Sequence, residues 1–452
     1  MGVKFEEIAE SFGNKIYENS VAIGVLAGII GAEEDALVKN VAEYFKRKSE
    51  EVVRANINAA LKGYEISKTL GLSFEIERNE KVKQQYLTSG YEAVAKGAIA
   101  GGCNFISSYP MSPATTVFTE LSRLSGEYGI LVDQAEDEIA AANMAIAAWY
   151  AGARAMVSTS GGGFALMTEA ISLSGMIETP IVVHLGQRPG PATGLPTRTE
   201  QGDLNLVLYA GHGDFPRVIY APGNLCEAYK LTAKAFNIAD KYQIPVFILT
   251  DQYLLDSFYN ISELPQVQIE RFIVKTEESY RRYEITEDGI SPRGIPGYGK
   301  GLVRVDSDEH DEYGHITESG EVRTKMVEKR LRKLEKIKED FVTPQLFGTN
   351  DYEYLVVCWG STQQIVKEAV ERIGNEKISV LHFSQVYPLS QSVKNYFERA
   401  KKTIFVEQNA SGQFANLLKL EFGIDTSCRI LKYSGYVYSV EELAERIAKE
   451  VE

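Results

Sequence analysis

The stretch Cys103-Asn-Phe-Ile-Ser-Ser-Tyr-Pro-Met-Ser-Pro-Ala-Thr-Thr116 holds a complete structural instruction. A short apolar run suited to a buried strand ends in two prolines, Pro110 and Pro113, which fix φ and cannot donate ladder hydrogen bonds. A helical pattern then starts at Thr115. Strand, rigid polar turn and helix in that order form one βα unit, and the surrounding sequence repeats the unit.

Outward from that turn, the spacing predicts helices over 91–101, 115–125, 137–150, 164–175 and 225–241. Between them it predicts strands over 104–108, 130–133, 155–159, 181–185 and 245–251. Short β-branched runs alternating with amphipathic helices specify an α/β fold with a doubly wound parallel sheet. Ligands of such sheets bind at the C-terminal strand ends, so the loops after 108, 133, 159 and 186 are the candidate site. Residues 261–345 read as an irregular, charged connector closing in a basic helix. Residues 346–452 return to alternation, with strands over 354–358, 378–383, 403–406 and 429–433, and form a smaller α/β domain. Ahead of the main domain (86–260), residues 1–80 read as a helical lobe, and no internal repeat is visible.

With 452 residues, the chain has room for two to four domains at roughly 150 residues each. A formal charge of −14 with no offsetting basic stripe argues against a nucleic-acid partner. The Lys/Arg-rich stretch 325–338 is interleaved with Glu and is expected to form a solvated helix face. Cys103, Cys226, Cys358 and Cys428 lie 70 or more positions apart, which offers neither a local zinc or iron–sulfur motif nor a disulfide framework. The apolar run 21–30 is half the length needed to span a bilayer, and the N-terminal stretch does not read as a secretory signal. The expectation is a cytoplasmic protein without a membrane partner.

Three loops carry candidate chemistry. In Gln134-Ala-Glu-Asp-Glu-Ile139, the acids open a helix whose Ala140, Ala141, Ala142 and Ala145 permit close approach of another backbone; dipole stabilisation alone accounts for Glu136 and Asp137. In Thr159-Ser-Gly-Gly-Gly-Phe164, glycines can expose backbone N–H groups to an anion or cofactor, or simply make a tight turn. The third is Gly186-Gln-Arg-Pro-Gly-Pro-Ala-Thr-Gly-Leu-Pro-Thr-Arg-Thr-Glu-Gln-Gly-Asp203. In this stiff loop Arg188 offers a planar fork for a carboxylate, with a surface ion pair as the plain alternative.

These motifs, in this order, resemble the α subunits of 2-oxoacid:ferredoxin oxidoreductases, the 2-oxoglutarate-type branch above all. Trp359-Gly-Ser-Thr, Val386-Tyr-Pro-Leu and Val406-Glu-Gln-Asn-Ala-Ser-Gly resemble the family's transketolase-C-terminal-like domain, and Asp308-Glu-His-Asp-Glu-Tyr-Gly-His resembles its connector. The N-terminal helices resemble the C-terminal lobe of the family's γ domain; the resemblance leads one to expect a nucleotide-fold half before them, as a separate chain or one absent from this sequence.

The resemblance implies a thiamin pyrimidine-binding-type domain and oxidative decarboxylation of a 2-oxoacid to acyl-CoA and CO2, with electrons passed to ferredoxin. Pyruvate and 2-oxoglutarate both belong to the substrate class, and 2-oxoglutarate is favoured. Glu138, rather than Glu136, takes the role of the glutamate that hydrogen-bonds the cofactor's aminopyrimidine ring. Arg188 takes that of the arginine on the substrate carboxylate. Ser112 and Tyr109 fall on substrate-contacting positions, and Pro110 and Gly161 on cofactor-contacting ones. Ser112 stands where the family usually has Thr, and Gly162 where it usually has Pro.

The chain has no Gly-Asp-Gly motif followed by Asn and no cysteine cluster. The resemblance therefore assigns thiamin diphosphate to an interface with a β subunit, and Mg2+ and [4Fe-4S] clusters to that partner. Coenzyme A is the co-substrate, ferredoxin the acceptor, and a separate γ or ferredoxin-like subunit a further candidate partner in a hetero-oligomer of anaerobic metabolism. Two alternatives stay open: another thiamin-dependent lyase or transketolase-like subunit, and a non-catalytic scaffold.

Overall fold

The computed structural model describes residues 2–74, 76–77 and 79–451; Met1, Glu75, Arg78 and Glu452 lie outside the described residues. The chain divides into two compact units between Gln84 and Gln85. The first is all-helical: Phe5–Glu10, Glu18–Ile29, Glu34–Phe45 and Glu50–Ser67. Glycines set its central helix pair. A Cβ at Gly24 would collide with the Ala60 carbonyl, and one at Gly63 with the Val21 carbonyl, so the two backbones touch where side chains would hold them apart.

The described strands of the second unit are β1 (Tyr86–Ser89), β2 (Phe105–Ser108), β3 (Leu131–Gln134), β4 (Ala155–Thr159), β5 (Ile181–Gln187), β6 (Val218–Tyr220), β7 (Pro245–Asp251) and β8 (Phe258–Ile261). They continue with β9 (Gln345–Phe347), β10 (Tyr354–Trp359), β11 (Ile378–Phe383), β12 (Gln385–Tyr387), β13 (Lys402–Glu407) and β14 (Arg429–Leu431). A seven-stranded sheet runs in the order β12-β6-β7-β5-β4-β2-β3, and a five-stranded one in the order β14-β13-β10-β11-β9. β12 and β9 are the antiparallel members, and β1 pairs with β8 as a separate ribbon.

Register decides where a ligand can bind. Ser108 lies beside Gln134, Thr159 beside Leu185, and Gln187 beside Asp251, so the loops leaving β2, β3, β4, β5 and β7 emerge along one edge. Helix Glu138–Tyr150 packs behind that edge on buried Ala141, Ala142 and Ala145. The small stripe brings its backbone close enough for Ser107 Oγ on β2 to donate to the Ala141 carbonyl at 2.6 Å.

Three expectations are corrected. The glycine run is not a loop before a helix at 164: Gly161–Leu166 is already helical, and a break at Met167 separates it from Thr168–Met176. The strand ends at Thr159 and extended Ser160 is the N-cap, so the glycines form the helix's first turn. The basic helix, Gly320–Glu339, is a solvated face only in part: Lys325, Arg332 and Lys336 are exposed, but Met326, Lys329, Arg330, Lys333 and Ile337 are buried. Lys329 and Lys333 clamp buried Glu178 at 2.6 and 2.5 Å. Finally, β12 leaves the C-terminal alternation to pair with β6, Gln385 beside Tyr220, at the edge of the large sheet. Neither three-residue strand is long enough to show a period of its own.

The irregular stretch before the basic helix is bound tightly to the sheet layer. Arg282 donates to the Glu178 carbonyl at 2.6 Å and to Gln243 Oε1 at 2.8 Å. Arg293 and Arg154 share the buried Asp240 carboxylate at 2.5 and 2.9 Å. Buried charges persist where each meets an opposite charge and further hydrogen bonds.

Candidate active site

Helix 138–150 begins with a division of labour between adjacent acids. Glu136 is exposed. Asp137 is the N-cap, its carboxylate accepting from Ala140 N at 2.8 Å. Glu138 is the first helical residue and is only 3% exposed, with Oε1 buried and without a hydrogen-bond partner among the described residues. Burial holds its pKa above the usual carboxylate range, and neighbouring Asp137 adds to the rise.

The Glu138 carboxylate lies over Gly163, where a Cβ would collide with Oε1 and with Thr159 Oγ1. Two more loops reach the same turn. Met111 Sδ and the Ala192 carbonyl each approach Gly162, 3.9 Å from where its Cβ would stand. The Asp203 carboxylate covers Gly161, with Oδ1 2.5 Å from a Cβ there. The glycines thus let three loops close on one helix start.

Arg188 extends β5 into this edge, and its Nη1 donates to the Ser112 carbonyl at 2.6 Å, joining the two turns that flank the glycines. Its Nε is buried without a hydrogen-bond partner among the described residues. Ser112 is exposed, Tyr109 is exposed and Pro110 is half-buried. Of the six residues named from sequence, Arg188 and Ser112 meet directly. Glu138 reaches the glycine turn at Gly163, Gly161 opens that turn under Asp203, and Tyr109 and Pro110 stand at the strand end, outside these contacts.

The long loop is anchored at both ends. Gln187 donates to the Thr250 carbonyl at 3.2 Å and accepts from Asp203 N at 3.0 Å. Gln201 donates to the Trp359 carbonyl at 2.7 Å and accepts from Gln408 N at 3.0 Å. Gly194 has φ +51°, and a Cβ there would strike the Pro189 carbonyl, so the loop tip turns where only glycine fits. Beneath the site, buried His184 bridges Ser158 Oγ and Thr250 Oγ1, both at 2.8 Å, and burial pushes its pKa down to about 3. It forms a neutral, fully bonded floor.

Two site residues escape a sequence reading. Ser160 Oγ and Asp203 Oδ2 are buried without hydrogen-bond partners among the described residues, beside the glycine turn. The signal for Ser160 is a hydroxyl directly before the glycines. Asp203 closes a loop sixteen residues after Gln187 and carries no local signal.

The family model described as "Pyruvate flavodoxin/ferredoxin oxidoreductase, thiamine diP-bdg" matches residues 96–329, and "Pyruvate ferredoxin/flavodoxin oxidoreductase" matches residues 1–66. The chain is 34% identical to 2-oxoacid:ferredoxin oxidoreductase 1, subunit alpha, of Sulfurisphaera tokodaii, over 99% of this chain and 75% of the relative. It is 33% identical to the 2-oxoglutarate synthase subunit KorA of Methanocaldococcus jannaschii, over 78% of this chain and 96% of the relative. Among solved structures, 2-oxoglutarate:ferredoxin oxidoreductase from Magnetococcus marinus, with 2-oxoglutarate, coenzyme A and succinyl-CoA bound, superposes with a TM-score of 0.91 at 31% identity. That match covers 100% of this chain and 80% of the other.

Proposed function

As the chain belongs to the α subunits of the 2-oxoacid:ferredoxin oxidoreductases, we propose that it binds the 2-oxoacid and the pyrimidine half of thiamin diphosphate. The reaction is oxidative decarboxylation to acyl-CoA and CO2 with ferredoxin as acceptor, and 2-oxoglutarate is the favoured substrate. The observation that carries this reading is the buried, unpartnered Glu138 Oε1 over Gly163, beside the loops joined by Arg188 and Ser112.

The residues fit the cofactor. A carboxylate kept from water with one oxygen free suits a hydrogen bond to a ring nitrogen, and burial without any partner would be costly. Glycine at 161 and 163 lets the Asp203 and Glu138 carboxylates close on the turn, where a Cβ would push them off. When bound, thiamin diphosphate supplies a carbon nucleophile for the 2-oxo group and a sink for the electrons left by CO2. Glu138 holds and exchanges a proton at Oε1, and its raised pKa brings that exchange nearer neutral pH. Pro110 and Gly161 would help to hold the pyrimidine half. Arg188, anchored on the Ser112 carbonyl, keeps Nε free for the 2-oxoacid carboxylate, while Ser112 and Tyr109 line the substrate's path.

The cysteine spacing and the missing Gly-Asp-Gly motif support a β subunit that brings Mg2+, the diphosphate site and [4Fe-4S] clusters. A separate γ or ferredoxin-like subunit completes the proposed assembly. Among the described residues no helix is long and apolar enough to cross a membrane. A scaffold role is disfavoured because a scaffold has no use for an unpaired buried carboxylate.

The test is to copurify the chain with a β subunit carrying clustered cysteines and to assay a 2-oxoacid panel with coenzyme A and a viologen. The highest kcat/KM is expected for 2-oxoglutarate. No 2-oxoacid-dependent reduction in an intact, cofactor-loaded complex would overturn the reading.

A further inference from the structure

Asp203 has no part in the mechanism above, yet its carboxylate lies against Gly161 in the middle of the site. Its Oδ2 is one of four buried polar atoms left open there, with Glu138 Oε1, Ser160 Oγ and Arg188 Nε. The buried carboxylates of Glu178, Asp240, Asp251 and Glu407 all have partners, so an open one that feels the Arg188 charge needs an explanation in binding. The position is rigid, since Asp203 N is held by Gln187 Oε1 at 3.0 Å and the loop is tied through Gln413 Nε2 to the Gly202 carbonyl at 2.7 Å.

The charged groups acting on Asp203 are Glu200, from its own loop, and Arg188, from the end of β5. The glycine turn presents only backbone. Burial first, and Glu200 second, push the Asp203 pKa up to about 7, against the pull of Arg188.

We infer that Asp203 is a proton-coupled positioning residue for the anionic substrate. Ionised, it balances the Arg188 guanidinium before substrate enters. When the 2-oxoacid carboxylate takes Arg188, Asp203 accepts one proton from solvent at Oδ2 and remains as a neutral neighbour. One O–H bond forms, one solvent proton is consumed, and the site's net charge is unchanged by binding one carboxylate. The inference rests on Arg188 receiving the substrate carboxylate.

The sign of the pH dependence follows. Above the Asp203 pKa, binding must draw a proton from an ever scarcer supply, so KM rises about tenfold per pH unit while kcat stays level. The complex with its β subunit is assayed between pH 6 and 9 with 2-oxoglutarate, coenzyme A and viologen, as wild type and as Asp203→Asn. A permanently neutral side chain is expected to flatten the KM profile near its low-pH value. Calorimetry of the wild-type complex with 2-hydroxyglutarate, which keeps the carboxylate and cannot decarboxylate, is run at pH 8 in two buffers of different ionisation enthalpy. Uptake of about one proton is expected. Equal heats in both buffers, or an Asp203→Asn profile as steep as wild type, overturn the inference. Turnover with a flat wild-type KM profile removes the proton coupling alone, whereas absence of any 2-oxoacid turnover removes the functional reading with it. The wild-type calorimetry decides the matter even where the variant does not fold.

Discussion

Glu178 and Glu138 are both buried carboxylates, 1% and 3% exposed, and their surroundings treat them in opposite ways. Around Glu178 each oxygen faces a lysine, with Arg282 close by. Although burial opposes ionisation, Lys329, Lys333 and Arg282 hold its carboxyl well below the ordinary range. Around Glu138 only its own backbone N–H offsets burial, Oε1 is left open, and its carboxyl is held above that range. A fold can keep a buried charge by pairing it, which fixes structure, or leave it unpaired at the expense of stability, which reserves it for a ligand. The clamp and the glycine turn belong to one compact unit and show both solutions.

Substitutions should separate the two. The largest effect is expected at Glu138: Glu138→Gln in the assembled enzyme should lower kcat by about 10²–10⁴-fold, with no loss of thermal stability. Near wild-type viologen reduction would show that Glu138 is not the proton-exchanging group. Glu178→Ala should do the reverse. It leaves two lysines buried without their partner and should cost about 3–5 kcal/mol in a denaturant titration, with kcat of the surviving folded enzyme little changed. A shift in midpoint below about 1 kcal/mol would break the contrast from the other side.

Arg188→Ala should act mainly through KM, with about 2–4 kcal/mol lost in kcat/KM for a missing charge-assisted pair. An unchanged kcat/KM would remove it from the substrate site. Gly163→Ala pushes a methyl into Glu138 and Thr159 Oγ1 and should reduce kcat by about tenfold through displacement of the carboxylate, on the scale of a misplaced reactive group. A fully active variant would mean that the glycine is not required for the approach.

The smallest effects are in the pH dependence of stability, and they have opposite signs. Glu178 has a depressed folded pKa, so its contribution is complete above the unfolded value of about 4.3 and is lost as pH falls through the folded value. Glu138 has a raised folded pKa, so its protonated form is favoured by folding, and that support fades as pH climbs above about 4.3. Unfolding midpoints between pH 3 and 7 should therefore lose their acid-side decline in Glu178→Ala and their decline toward neutral pH in Glu138→Gln.

Much of this architecture is legible locally. Proline-stopped apolar runs and helical spacings repeat within windows of about ten residues, so the strands over 155–159, 245–251 and 378–383 and the choice of the strand-end loops as the candidate site need no tertiary information. The resemblance, not the spacing, separates Glu138 from Glu136, because both acids suit a first helical turn equally well. Three-residue strands such as Val218–Tyr220 leave too short a trace to read, and β12 changes sheets for a partner far away in the chain.

The sequence by itself therefore determined the alternation, the turns and the residues available for chemistry, since each depends on neighbours along the chain. Tertiary structure decided which charges are buried and which remain open, since desolvation and pairing depend on neighbours in space. Lys329 looks like a solvent-facing residue until a carboxylate 151 positions earlier is placed against its ammonium at 2.6 Å. Asp203 looks like the end of a loop until it is folded onto Gly161.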